Sequence, residues 1–180
     1  MTSTQERDLL DFRSEVDDFL QFHPQSPLDD EQREEFQALN YFNFNENLIL
    51  EVEVERFPED DPLVEITTNT GDLRSYRRWG RFTFEVSGQE AALTVYADPY
   101  GDELFMPFRD ATSGPESYGA GRYMDNQRPG LRQLPGGKLE VDFNYAYSPY
   151  CAYSPSYSCP LPPAENWLTV PIRAGEKKFK

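Results

Sequence analysis

From Leu48 onward the chain repeatedly alternates apolar and polar residues, in short runs separated by turn clusters. Successive side chains of a strand point to opposite faces, so a period of two restricts these runs to half-solvated antiparallel strands. Leu48, Leu50, Val52 and Val54 alternate with Ile49, Glu51, Glu53 and Glu55, and the glutamates mark the wet face. Further strands are predicted over 63–68, 73–79, 81–86, 91–97 and 104–108, joined by turns such as Asn69-Thr70-Gly71-Asp72 and Ser87-Gly88. After a loop at 129–137, Leu139, Val141 and Phe143 alternate again, and Leu168, Val170 and Ile172 make a last strand before a basic tail.

Ahead of the strands, Leu9, Phe12, Val16, Phe19 and Leu20 recur at helical spacing, and Ser3 followed by Glu6 has a capping-box pattern. The spacing predicts a helix over 4–22, stopped by His23-Pro24-Gln25-Ser26-Pro27. Asp29 with Gln32 caps a second short helix that turns Phe36 and Leu39 toward the core. No crossover helices interrupt the strands. The expected fold is therefore mainly β, of α+β type: an antiparallel β-barrel or curved β-sandwich with two N-terminal helices packed on one side. It is expected to be one domain, 1–180, comprising a helical segment 4–39, a β-meander 48–109, and long motif-bearing loops with the final strands over 110–180.

The apolar content is low, 38%, but 13 Phe and 11 Tyr let large flat side chains supply the burial, which argues against disorder. A formal net charge of −15 repels phosphate backbones and anionic lipid, so neither nucleic acid nor membrane is an expected partner. The only lysines are Lys138, Lys177, Lys178 and Lys180. Such a carboxylate-covered surface looks halophilic, since salt at 1 M screens self-repulsion beyond about 3 Å; an ordinary acidic protein fits the same composition. There is neither a long apolar run nor a basic, apolar start, and a cytoplasmic location is expected. Two cysteines, Cys151 and Cys159, are too few for a secreted disulfide scaffold.

Three stretches carry a family resemblance. They are Pro107-Phe108-Arg109-Asp110-Ala111-Thr112-Ser113-Gly114 running on to Tyr118-Gly119-Ala120-Gly121-Arg122-Tyr123, the tyrosine-rich Asp142 to Tyr153 with Cys159-Pro160-Leu161-Pro162-Pro163-Ala164-Glu165-Asn166, and the ending Val170-Pro171-Ile172-Arg173-Ala174-Gly175-Glu176. Together with Ser26-Pro27-Leu28, they make the chain resemble the uncharacterised bacterial and archaeal family known as domain of unknown function 1684. The resemblance implies kinship and no activity or cofactor.

The residues themselves suggest a site. Arg109, Asp110, Thr112, Tyr118 and Arg122 surround a glycine-rich loop, and two guanidiniums there would clamp a carboxylate or phosphate. The competing reading is an internal Arg–Asp ion pair pinning the loop. The loop is neither a Walker motif nor a dinucleotide fingerprint. Asp142 and Asn144 share one strand face toward solvent or a pocket, and Tyr147 and Tyr150 follow them. Cys151, Cys159 and His23 would suit zinc only weakly, because the spacing is irregular and a fourth ligand is missing; two small buried side chains are the simpler reading. The expected site joins Arg109, Asp110, Thr112, Tyr118 and Arg122 with Asp142, Asn144, Tyr147 and Tyr150 around a small anionic ligand. The alternatives are a non-catalytic structural or interaction domain, and a metal site at the cysteines and His23.

Overall fold

The computed structural model describes residues 3–179; Met1, Thr2 and Lys180, the ends of the expected 1–180 domain, lie outside the described residues. Helix α1, Thr4–Phe22, starts where the Ser3 side chain accepts the Glu6 amide and ends at His23, before Pro24. Helix α2, Asp30–Glu35, has a complete capping box: Asp29 accepts the Gln32 amide and Gln32 accepts the Asp29 amide. Phe36 and Leu39 follow it and pack with Leu20, Leu28 and Tyr153, which fastens both helices to the tyrosine-rich loop.

Among the described residues nine strands follow: β1 Ile49–Glu53, β2 Glu55–Arg56, β3 Val64–Thr67, β4 Leu73–Val86, β5 Gln89–Ala97, β6 Leu104–Phe108, β7 Arg122–Asp125, β8 Leu131–Leu134 and β9 Lys138–Asp142. They form two antiparallel sheets, β1-β9-β8 and β2-β4-β5-β6-β7, with β3 also paired to β4. Neither order returns to its first strand, so the sheets are open and, of the expected barrel or curved sandwich, the barrel does not form among the described residues. The closure fails because β1 leaves the meander for β9, setting Leu50 against Val141 and Val52 against Leu139. Both sheets contribute to one apolar cluster that includes Val52, Phe82, Leu93, Met106, Leu139 and Val141.

Three local expectations are corrected. The predicted strands 73–79 and 81–86 are one strand, β4, with its register shifted between Arg78 and Gly80. Gly80 is no turn; a Cβ there would overlap Val54 Cγ1, so the glycine makes room for the chain entering β2. Strands β7 and β8 were not predicted, and β8 lies inside the predicted loop 129–137. Four residues each provide too few alternations to reveal a period. The predicted last strand over 168–172 is an irregular segment outside both sheets, with bends at Thr169 and Val170. Pro171 has no N–H to give, and the Ile172 amide donates to the Asp110 carboxylate at 2.7 Å in place of a ladder carbonyl. Val170 and Ile172 are nevertheless buried, as their alternation requires.

Candidate functional site

Arg122 and Asp110 meet inside the protein, both side chains 0% exposed. In β7, Arg122 is opposite Phe108, and its guanidinium reaches Asp110 Oδ1 at 3.3 Å, the Ile172 carbonyl at 2.7 Å, and the carbonyls of Ala174 and Glu176. Asp110 also accepts from Thr112 Oγ1 at 2.8 Å, while Thr112 contacts Ser117 Oγ. Nη1 and Nη2 of Arg122 are turned onto protein, tying the 110–117 loop to the C-terminal segment, while its buried Nε has no hydrogen-bond partner among the described residues. Arg109 lies one residue past Phe108, on the alternate side, with its guanidinium 4.9 Å from the Trp167 ring centre. The two arginines therefore do not share a clamp.

The expected common strand face of Asp142 and Asn144 is also corrected. β9 ends at Asp142 and the chain turns through a short 3-10 helix, Phe143–Tyr145, so both side chains are buried. Asp142 Oδ1 accepts the Asn144 amide at 3.0 Å and its Nδ2 at 2.8 Å. Asn144 then exchanges hydrogen bonds with the Asn45 backbone, bracing the entry to β1. Burial raises the Asp142 pKa above the usual carboxylate value.

Tyr147 and Tyr150, in contrast, face open space. A cleft of about 500 Å³ lies between the end of β7 and the 147–160 segment, with Arg74, Arg128, Tyr123, Tyr157 and Cys159 also on its walls. A neighbouring cavity of about 390 Å³ shares Arg74, Tyr123 and Tyr147 and extends to Tyr76 and Phe105. The two form one aromatic trough, its rings linked in series: Tyr76–Phe105 at 5.5 Å, Phe105–Tyr123 at 4.7 Å and Tyr123–Tyr147 at 5.9 Å. Burial pushes the phenols of Tyr76, Tyr123, Tyr147 and Tyr150 upward, so they remain neutral hydrogen-bonding groups.

Arg128 lies 3.7 Å over the Tyr147 ring, and Tyr147 donates its hydroxyl to Asp125. No carboxylate lies within ion-pair distance of Arg128 among the described residues, although its charge is felt by Glu176. Asp125 is further occupied by the amides of Gln127 and Arg128 at 3.0 and 3.1 Å. Arg74 bonds the Ser158 carbonyl at 2.6 Å at the other rim. Sequence reasoning passed over both arginines, though the turn signature Asn126-Gln127-Arg128-Pro129-Gly130 was available to mark Arg128 as a loop-borne cation.

Tyr118 bonds Cys151 Sγ at 3.6 Å. His23 is away from this contact, stacked on Phe19 with its Nδ1 accepting the Gln25 amide. Among the described residues, no group of three or more His, Cys, Asp or Glu is placed to hold a metal ion. Nor is any helix long and apolar enough to cross a membrane.

Glu176 closes the third motif of the sequence and had no assigned role. It is buried, accepting the Tyr153 hydroxyl and the Ser148 amide, and burial pushes its pKa up to about 7 against the opposing pull of Arg128 and Arg122. The folded protein thus holds this proton more tightly than the unfolded chain. Its contribution is fully present below the ordinary value of 4.5 and is lost as pH rises to about 7. That loss amounts to about 3 kcal/mol. Glu176→Gln, which keeps an acceptor for Tyr153, should therefore gain stability relative to the native chain between about pH 5 and about pH 8, read by urea denaturation. A pH-independent difference would show that Glu176 titrates normally.

The two open sheets, the long N-terminal helix and the tyrosine trough define a small, mainly β domain. The chain belongs to the family described as "Protein of unknown function (DUF1684)", whose model matches residues 34–177. It is similar to the solution NMR structure of an uncharacterized protein of Haloarcula marismortui, at 36% identity and a TM-score of 0.70, over 96% of this chain and 94% of that one. No curated protein matches the chain.

Proposed function

We propose that this protein is a small-molecule binding domain whose trough takes a planar ligand bearing an anionic group. The observation that carries this reading is Arg128, set over the Tyr147 ring at the cleft wall with no carboxylate within ion-pair distance among the described residues. Stacking holds the guanidinium plane in place while its N–H edge can receive a carboxylate or phosphate. The tyrosine faces provide apolar area, and Arg74 and Arg128 supply guanidiniums to the cleft wall, beside Asp125, in a chain of net charge −15. In this reading Tyr147 and Tyr150 face the ligand. Arg109, Asp110, Thr112, Tyr118, Arg122, Asp142 and Asn144 brace the loops that carry them.

The test is a thermal-shift and calorimetric titration with benzoate, 4-hydroxybenzoate, adenosine monophosphate and inorganic phosphate at several salt concentrations. At least one aromatic anion should raise the melting temperature, and Arg128→Ala should weaken its binding by roughly tenfold or more, as for a lost charge-assisted hydrogen bond. The melting temperature of the free variant should stay close to that of the native chain. Absence of binding by every probe, or equal binding by the variant, would favour a purely structural or protein-interaction domain.

A further inference from the structure

Helix α1 and the tyrosine-rich loop enclose another cavity, of about 330 Å³, which shares Tyr150 and Arg128 with the trough and is otherwise separate from it. One side is a single stripe of the helix: Phe12, Val16, Phe19 and Leu20 recur at helical spacing and fall on one face. Glu15 on its wall is exposed, whereas Leu20, Ser148, Tyr153 and Glu176 are buried and form the inner end. Leu20 and Tyr153 also pack with Leu28, Phe36 and Leu39, so that end rests on a built core. Its polar groups are only partly used by the fold. Ser148 is 2% exposed and its amide donates to Glu176 Oε2 at 3.2 Å, but its Oγ has no hydrogen-bond partner among the described residues. Glu176 accepts the Tyr153 hydroxyl at its other oxygen. A carboxylate has about four acceptor sites, so about two stay free. Most buried hydroxyls are satisfied within the fold, and one left over beside an apolar cavity calls for a head group brought by a ligand.

From this arrangement we infer that the cavity under α1 binds a neutral aliphatic alcohol, its hydroxyl at Ser148 and Glu176 and its alkyl chain along the Phe12, Val16, Phe19 and Leu20 stripe. A hydroxyl is donor and acceptor at once, so it donates to a free Glu176 lone pair while accepting from Ser148 Oγ. The cavity wall carries both a carboxylate, Glu176, and a guanidinium, Arg128. A carboxylate head would stand against the first and an ammonium head against the second, which leaves the neutral head preferred. At the roughly 30 Å³ that one water occupies in the liquid, the cavity has room for about ten groups of that size, which suits an alcohol of about eight carbons. Val16, Phe19 and Ser148 lie outside the trough, so this site stands or falls apart from the anion site proposed there.

The test titrates 1-octanol, below its solubility limit, into the full chain with labelled methyl groups and reads chemical shifts and intermolecular nuclear Overhauser contacts. Octanol methylenes should contact the Val16 and Leu20 methyls in the native chain, which locates the site without any variant. Ser148→Ala should weaken octanol binding roughly threefold to tenfold, as for one lost hydrogen bond. The urea midpoint of that variant should not fall, because the hydroxyl it removes has no partner in the fold. Val16→Phe should fill the cavity and abolish saturable binding of octanol, leaving the response to aromatic anions unchanged. Octanoate and octylamine should each bind roughly tenfold or more weakly than octanol. Missing contacts at Val16 and Leu20, an unchanged affinity in Ser148→Ala, or equal binding of either charged analogue would overturn the inference.

Discussion

Arg122→Met should lower the stability of the folded chain by about 3–5 kcal/mol, the usual cost of leaving a buried charge without its partner. Methionine approximates the length of arginine but carries no donor. The carbonyls of Ile172, Ala174 and Glu176 would lose their guanidinium, and Asp110 would retain only Thr112, Ser113 and backbone donors in a site closed to water. The urea midpoint should fall with little change in slope. Adding Asp110→Asn should restore part of the loss, because the second substitution removes the stranded charge, and the coupling measures the pair. A single-variant loss below about 1 kcal/mol would mean that the cluster is water-accessible and that its arginine is dispensable.

Asn166→Ala should cost about 3 kcal/mol or more through another buried set of bonds. β5 and β6 pair at Tyr96–Phe105 and Ala97–Leu104, and continuing that register brings Thr94 opposite Pro107, which has no N–H to donate. The Asn166 side chain, 0% exposed, takes the vacant place in the ladder. Its Nδ2 donates to the Thr94 and Pro107 carbonyls at 2.9 and 2.8 Å, and its Oδ1 accepts the Thr94 amide at 2.8 Å. Alanine would leave all three groups unpaired in the core. Hydrogen exchange at the Thr94 amide should accelerate along with the drop in the urea midpoint. An unchanged Thr94 exchange rate would show that the amide has another partner. Pro107 and Asn166 belong to separate motifs of the family resemblance, and this plug explains why a proline can occupy an inner strand.

Both effects involve residues that are visible in the sequence, and of the two only Asn166 has no role assigned there. Arg122 was expected either to clamp a ligand or to pair internally; the burial of β7 decides for the pair, since no strand was predicted there to indicate its environment. Tyr147 and Tyr150 were selected and do line the trough, whereas Arg74 and Arg128, its cations, were missed. These four residues come from three distant parts of the chain. Local periodicity carries no information about which loops will meet.

The sequence alone determined the elements whose pattern repeats. Helix α1 and its cap, the capping box of α2, the alternation through β1, and the strands β5, β6 and β9 follow from periods of 3.6 and two, because each buries one face whatever its neighbours are. Only the tertiary structure decided how the strands divide into two open sheets, which carboxylate Arg122 meets, and that Arg128 lies on Tyr147. Those outcomes depend on long-range register, where a slip of one residue reverses every side chain, and on short polar segments whose hydrogen bonds are set by the partner they find.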